Sequence, residues 1–179
     1  MAATQLAVSL ERRARACPGL LPGPGQGAQG CVALDSRCAT TYGTSMTVET
    51  ILRTHPRPLI ADAAVLARCI DECGACAGTC TICADASLAE DDVRDMARCI
   101  RLCLDCVDTC VAAGRILSRQ TDPDANSQIT ALEACLTMCR ACATECERHA
   151  HHHEHCRLCA EECRRCERAC DELLAALRD

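Results

Sequence analysis

From about residue 46 onward, small apolar residues recur at intervals of three and four, with charged and polar residues filling the gaps. Intervals that average 3.5 residues mark one face of an α-helix packed against other helices. The pattern predicts four long helices. The first runs from near Pro58 to about Ala86, and the second from the acidic run Glu90, Asp91, Asp92 to about Ser118. The third runs from Asp122-Pro123 to about Ala150, and the fourth starts within the histidine run and ends near Leu177. A proline suits a first helical turn, negative charge suits a helix start, and Asp followed by Pro reads as a cap and a first-turn proline. Val48 to Arg53 predicts a short extra helix ahead of these. Short connections between long helices make neighbours antiparallel, so the expected fold is all-α, an up-down-up-down four-helix bundle. Gly74, Gly78 and Gly114 fall inside the helices, where they are expected to allow close packing at about 1 kcal/mol each relative to Ala.

Residues 1 to about 45 carry no such period. Gly19, Pro22, Gly23, Pro24, Gly25, Gly27 and Gly30 cluster there and predict a disordered leader, which leaves 46–179 as the folded domain. Arg12 and Arg13 are not followed by the apolar segment that an export signal needs, because Cys17 to Pro22 breaks at once. Since every structured feature follows Met46, translation of the working protein is expected to begin there.

The apolar stripe is not made of the usual residues. The chain has no Trp, no Phe and a single Tyr, but 21 Cys. Eighteen of these keep the three-four rhythm. They are Cys69, Cys73, Cys76, Cys80 and Cys83; Cys99, Cys103, Cys106 and Cys110; Cys135, Cys139, Cys142 and Cys146; and Cys156, Cys159, Cys163, Cys166 and Cys170. Cys17, Cys31 and Cys38 fall outside it. Cysteine can serve as a small buried hydrophobe at one or two core positions. At every seam position of four helices that explanation fails, because Leu fills such a core better and does not oxidise. Disulfides fit poorly as well: neighbours on one helix face have Cβ atoms about 5–6 Å apart, against about 3.5–4.5 Å for a bridge.

Charge removes other classes. A net charge of -6 offers no basic stripe for nucleic acid. No apolar run approaches the ~20 residues of a membrane span. The charges that interrupt the seams, such as Arg68, Asp71 and Glu72, or Glu161, Glu162, Arg164 and Arg165, read as solvated outer faces. With no strand pattern, a thioredoxin-like redox role has no scaffold.

Metal binding remains. Four thiolates on Zn(II) leave a charge of -2, costly to repeat along an apolar core. One Cu(I) per thiolate is neutral, and soft thiolates select Cu(I). With metal-sulfur bonds near the ~2.3 Å of Zn-S, a linear two-sulfur site spans roughly 4–5 Å, within reach of an i, i+4 pair. Capacity on this reading approaches one ion per thiol. An iron-sulfur electron carrier is the main rival, since Cys73, Cys76 and Cys80 have a ferredoxin-like spacing, but none of the four runs carries the proline that follows a ferredoxin's last cysteine. A zinc-binding or metallothionein-like thiol buffer stays open as a further alternative.

On its four repeated seams and on the segment His149 to Cys156, the stretch Met46 to Asp179 resembles the bacterial copper storage proteins, cysteine-lined four-helix bundles that hold many Cu(I) ions. The resemblance implies copper storage or detoxification without catalysis, assembly into a homotetramer, metal entry at one end, and exchange with a copper donor or acceptor protein. Lacking an export signal, the chain looks like the cytosolic branch.

The seams also have a direction. Extended past its cysteines, the pattern meets Leu66 and Leu59, Ala113 and Leu117, Leu132, and Leu173 and Leu177, all at one end of an antiparallel bundle. Val48, Ile51 and Leu52 are expected to cover this plug. At the other end the extensions reach Met96, His149 and His152, thioether and imidazole donors suited to passing soft ions inward. These three residues are the expected entrance.

Overall fold

The computed structural model describes residues 48–178. The leader at 1–45, its three cysteines and the expected start at Met46 lie outside the described residues. Among the described residues five helices follow one another: α1 (Val48–Leu52), α2 (Ala63–Leu88), α3 (Ala97–Leu117), α4 (Ala125–His149) and α5 (Glu154–Arg178). The four long ones form a square in which α2 packs on α3 and α5, and α4 packs on the same two; α1 lies against α2. Chain order and contacts make this the antiparallel bundle that the short connections imply.

The helices begin later than the proline and acid signals suggest, and capping explains why. Pro58 precedes α2 by several residues, and Asp62 is the cap, its Oδ1 accepting the N–H groups of Ala64 (2.9 Å) and Val65 (3.3 Å). The intervening Leu59 packs on the core, and the Ile60 N–H donates to Gln120 Oε1 at 3.0 Å. Asp122 is not the cap of α4. It takes φ 51°, a left-handed conformation that Asp tolerates, and Asp124 Oδ1 accepts the Ser127 N–H at 2.7 Å instead. Glu90 to Met96 form successive turns rather than the start of α3, closed by bonds such as Met96 N–H to the Val93 carbonyl (3.2 Å).

Small side chains set the helix spacing. Ala67, Ala77, Ala84, Ala143, Ala160 and Ala169 are buried beside the cysteines, so backbones approach closely around a narrow core. Gly114 belongs to this packing, since a Cβ there would lie 3.5 Å from the Cys73 Cβ. Gly74 and Gly78 do not: both face outward, with nothing within 4 Å of an added Cβ.

The outer faces are laced with ion pairs, including Arg157 to Glu161 (2.5 Å), Arg164 to Glu147 (3.0 Å) and Arg68 to Glu172. Glu162 departs from the solvated reading. It is buried beside the seam and held by Arg165, which also reaches Glu72. Glu145, buried next to Cys146, is likewise held by Arg98 at 2.9 Å.

Candidate metal centre

All eighteen cysteines of the seams point inward as free thiols, and none is more than 1% exposed. The 3.5-residue interval keeps each run on one side of its helix, and four such sides converge. Every one of these sulfurs lies within 4.0 Å of another. The sulfurs gather in interlocking fours. One set is Cys76, Cys106, Cys110 and Cys139, and a second, Cys76, Cys80, Cys106 and Cys163, shares two members with it. Cys80 and Cys163 then recur with Cys142 and Cys159. The central sets overlap, and contacts such as Cys110 to Cys135 (3.5 Å) and Cys103 to Cys146 (3.9 Å) join them to the sets at either end, so the sulfurs form one column.

Hydrogen bonding among thiols splits their acidities. The Cys69 thiol is pulled down to about 5, chiefly by its hydrogen bond to Cys170 and then by its interaction with Cys73, against the upward push of burial. Cys103 falls to about 6 through bonds from Cys142 and Cys146. Cys80 is driven upward by its interactions with Cys103, Cys106, Cys142 and Cys159 and by burial.

At one end the column stops against Leu66, Leu117, Leu132 and Leu173, all fully buried, with Leu52 of α1 in the same cluster. Two buried amides, which the seam spacing does not point to, finish this end: Gln120, whose Nε2 donates to the Leu117 carbonyl at 2.8 Å, and Gln128. Apolar packing and satisfied backbone groups close it.

The opposite end is built from the 89–96 linker and the turn between α4 and α5. Met96 is fully buried at the start of α3. His149 closes α4, its side chain 20% exposed and its Nε2 3.6 Å from Glu145 Oε1. His152 sits exposed on the turn. The three-four spacing back from Cys156 points to this residue, but α5 starts only at Glu154, so the helical rhythm does not reach it.

The histidine that does meet sulfur is His155. Its Nδ1 is 3.4 Å from Cys83 Sγ and 3.5 Å from Cys156 Sγ, and its Nε2 is 3.2 Å from Glu90 Oε1. His153 adds a second tie, 3.1 Å from Glu90 and 3.4 Å from Asp92. Burial works to lower the His153 pKa, but its bonds to Glu90 and Asp92 carry it above the ordinary imidazole value. Two histidines therefore hold the acidic linker over the outermost thiols. The sequence signal for His155 was its place directly before Cys156; seam spacing alone passes over it.

No helix among the described residues is long and apolar enough to cross a membrane. A family model described as copper storage protein matches residues 62–175. Among solved structures, the chain is similar to the copper storage protein Ccsp from Streptomyces lividans loaded with 10 copper equivalents. That match has 53% identity and a TM-score of 0.72, and covers 73% of this chain and all of that one. A structure described as copper loading, with five coppers, to a cytosolic copper storage protein from the same organism matches at 56% identity and a TM-score of 0.62, covering 63% of this chain and 93% of that one. A histidine-to-alanine variant of Ccsp matches at 55% identity and a TM-score of 0.65, over 65% of this chain and 98% of that one. No curated protein matches.

Proposed function

The chain belongs to the copper storage protein family, and from that premise we propose that it stores and buffers many Cu(I) ions in the cytoplasm without catalysing a reaction. The observation that carries this reading is the unbroken column of buried free thiols. Pairs such as Cys76 and Cys80 (3.9 Å) or Cys106 and Cys110 (3.8 Å) approach the span of a two-coordinate thiolate site of roughly 4–5 Å. Each thiol that takes Cu(I) releases its proton, and the resulting unit is neutral. An apolar tube can therefore fill without accumulating charge, which divalent ions in all-cysteine sets cannot do.

The eighteen thiols hold the ions, and Met96, His149 and His152 form the entrance, joined by His155. The exposed imidazole of His152 suits capture from solvent, and buried Met96 suits transfer to Cys99 beyond it. Assembly into a tetramer and exchange with a donor or acceptor protein follow from the family likeness and belong to the same proposal.

Protein isolated from copper-grown cells should carry many copper ions per chain; one or two per chain would contradict storage. Combined replacement of Met96, His149 and His152 should slow Cu(I) loading in stopped-flow measurements while final capacity stays nearly unchanged. An unaltered rate would remove these residues from the entrance.

A further inference from the structure

Tetrahedral Zn(II) bound through Zn–S bonds of about 2.3 Å and Zn–N bonds of about 2.0–2.1 Å requires sulfur-sulfur edges of about 3.8 Å and sulfur-nitrogen edges of about 3.6 Å. The mouth already has one such face. Cys83 Sγ and Cys156 Sγ are 3.9 Å apart, and His155 Nδ1 lies 3.4 and 3.5 Å from them. Cys99 Sγ is 4.0 Å from Cys156 and within 4.8 Å of Cys83, as is Cys146, itself 3.5 Å from Cys99, so two thiols are at hand for the fourth position.

The surroundings fit a divalent ion as well. His155 Nε2 faces Glu90 Oε1 at 3.2 Å, so the tautomer that donates to Glu90 leaves the Nδ1 lone pair aimed at the sulfurs. A carboxylate behind a metal-binding imidazole is the usual second layer of a zinc site. Charge restricts the ion to this place. With three thiolates and a neutral imidazole the site carries -1, whereas Cys146 in place of the imidazole, or any of the deeper all-cysteine sets, would carry -2 in an apolar interior.

We propose that Cys83, Cys99, Cys156 and His155 Nδ1 bind a single Zn(II) ion at the mouth of the copper-free protein, and that incoming Cu(I) displaces it. Zn(II) binding releases three thiol protons. Three Cu(I) ions then take the three thiolates, one Zn(II) ion leaves, the His155 imidazole is left uncoordinated, and total charge is conserved with no further proton released. The first Cu(I) ions thus exchange with a divalent ion instead of entering an empty tube.

The test uses the full reduced chain, anaerobic and free of metal, titrated with Zn(II) against a chromophoric chelator and with Co(II) as a spectroscopic probe. One tight equivalent is expected, with the absorption of tetrahedral cobalt-thiolate. His155→Ala and Glu90→Gln should each weaken Zn(II) binding about ten-fold or more, the range seen when support of a metal ligand is lost. Glu133→Gln, on the outer face at the far end, should leave it unchanged. Adding Cu(I) to the Zn(II)-loaded chain should release one Zn(II) within about the first three ions. Failure to compete with the chelator, uptake of several equivalents, or an affinity indifferent to both mouth substitutions would overturn the site. Cu(I) titration of the same sample separates the two readings: many Cu(I) with no Zn(II) overturns only the zinc site, and uptake of neither overturns storage.

Discussion

At the scale of single residues, cysteine carries two duties in this chain, as the filler of a close-packed core and as its chemistry. Cys106 sits where two sulfur sets overlap, with Cys76, Cys110 and Cys139 between 3.7 and 3.9 Å of one another along five of the contacts they and Cys106 make. Cys106→Ser keeps the volume nearly constant and should lower Cu(I) capacity by about one ion without unfolding the bundle, read from an anaerobic titration beside a thermal melt; an unchanged capacity would mean that the column does not bind through this thiol. All eighteen positions were legible from spacing, because a repeating interval maps directly onto a helix face. His155 was not. Its approach to Cys83 depends on where α5 begins and on the linker that carries Glu90, both set by contacts between segments distant in sequence.

At the scale of elements, helix number, order and approximate extent followed from periodicity, whereas the starts of α2, α3 and α4 did not. Each start is decided by a particular side-chain bond or run of turns that a list of favourable residues does not rank. Asp62→Ala should cost about 1 kcal/mol in urea unfolding, the usual loss for an N-cap. The Asp124 carboxyl is held below its ordinary value of 3.8 by bonds from the Ser127 hydroxyl and N–H. A depressed folded pKa means that its stabilisation is complete above the unfolded value and disappears as pH falls through the folded one. The melting-temperature gap between wild type and Asp124→Ala should therefore persist above about pH 4 and close at lower pH; a constant gap would contradict the cap. Gly74→Ala and Gly78→Ala should each stabilise the chain by about 0.5–1 kcal/mol, since the added methyl meets open space. Destabilisation there would mean that a partner fills that space.

At the scale of the whole molecule, the four seams make a tube with unlike ends. Leucines and two amides seal one, while methionine, histidines and an acidic linker frame the other. Both ends were foreshadowed by extending the seams, although Leu59 and His152 precede the starts of α2 and α5 and so lie outside the helical rhythm. Leu132→Ala should cost about 2–5 kcal/mol, the range for a buried leucine, and faster Cu(I) loading would accompany it if the leucine plug is what closes that end. The central claim is that the column is a container filled ion by ion. Anaerobic titration of the reduced chain with Cu(I), against a competing chelator, tests it most directly. The account predicts tight uptake continuing to roughly one ion per seam thiol, with each unit neutral. Saturation at one or two ions, or a brown iron-sulfur chromophore in the native protein, would contradict it.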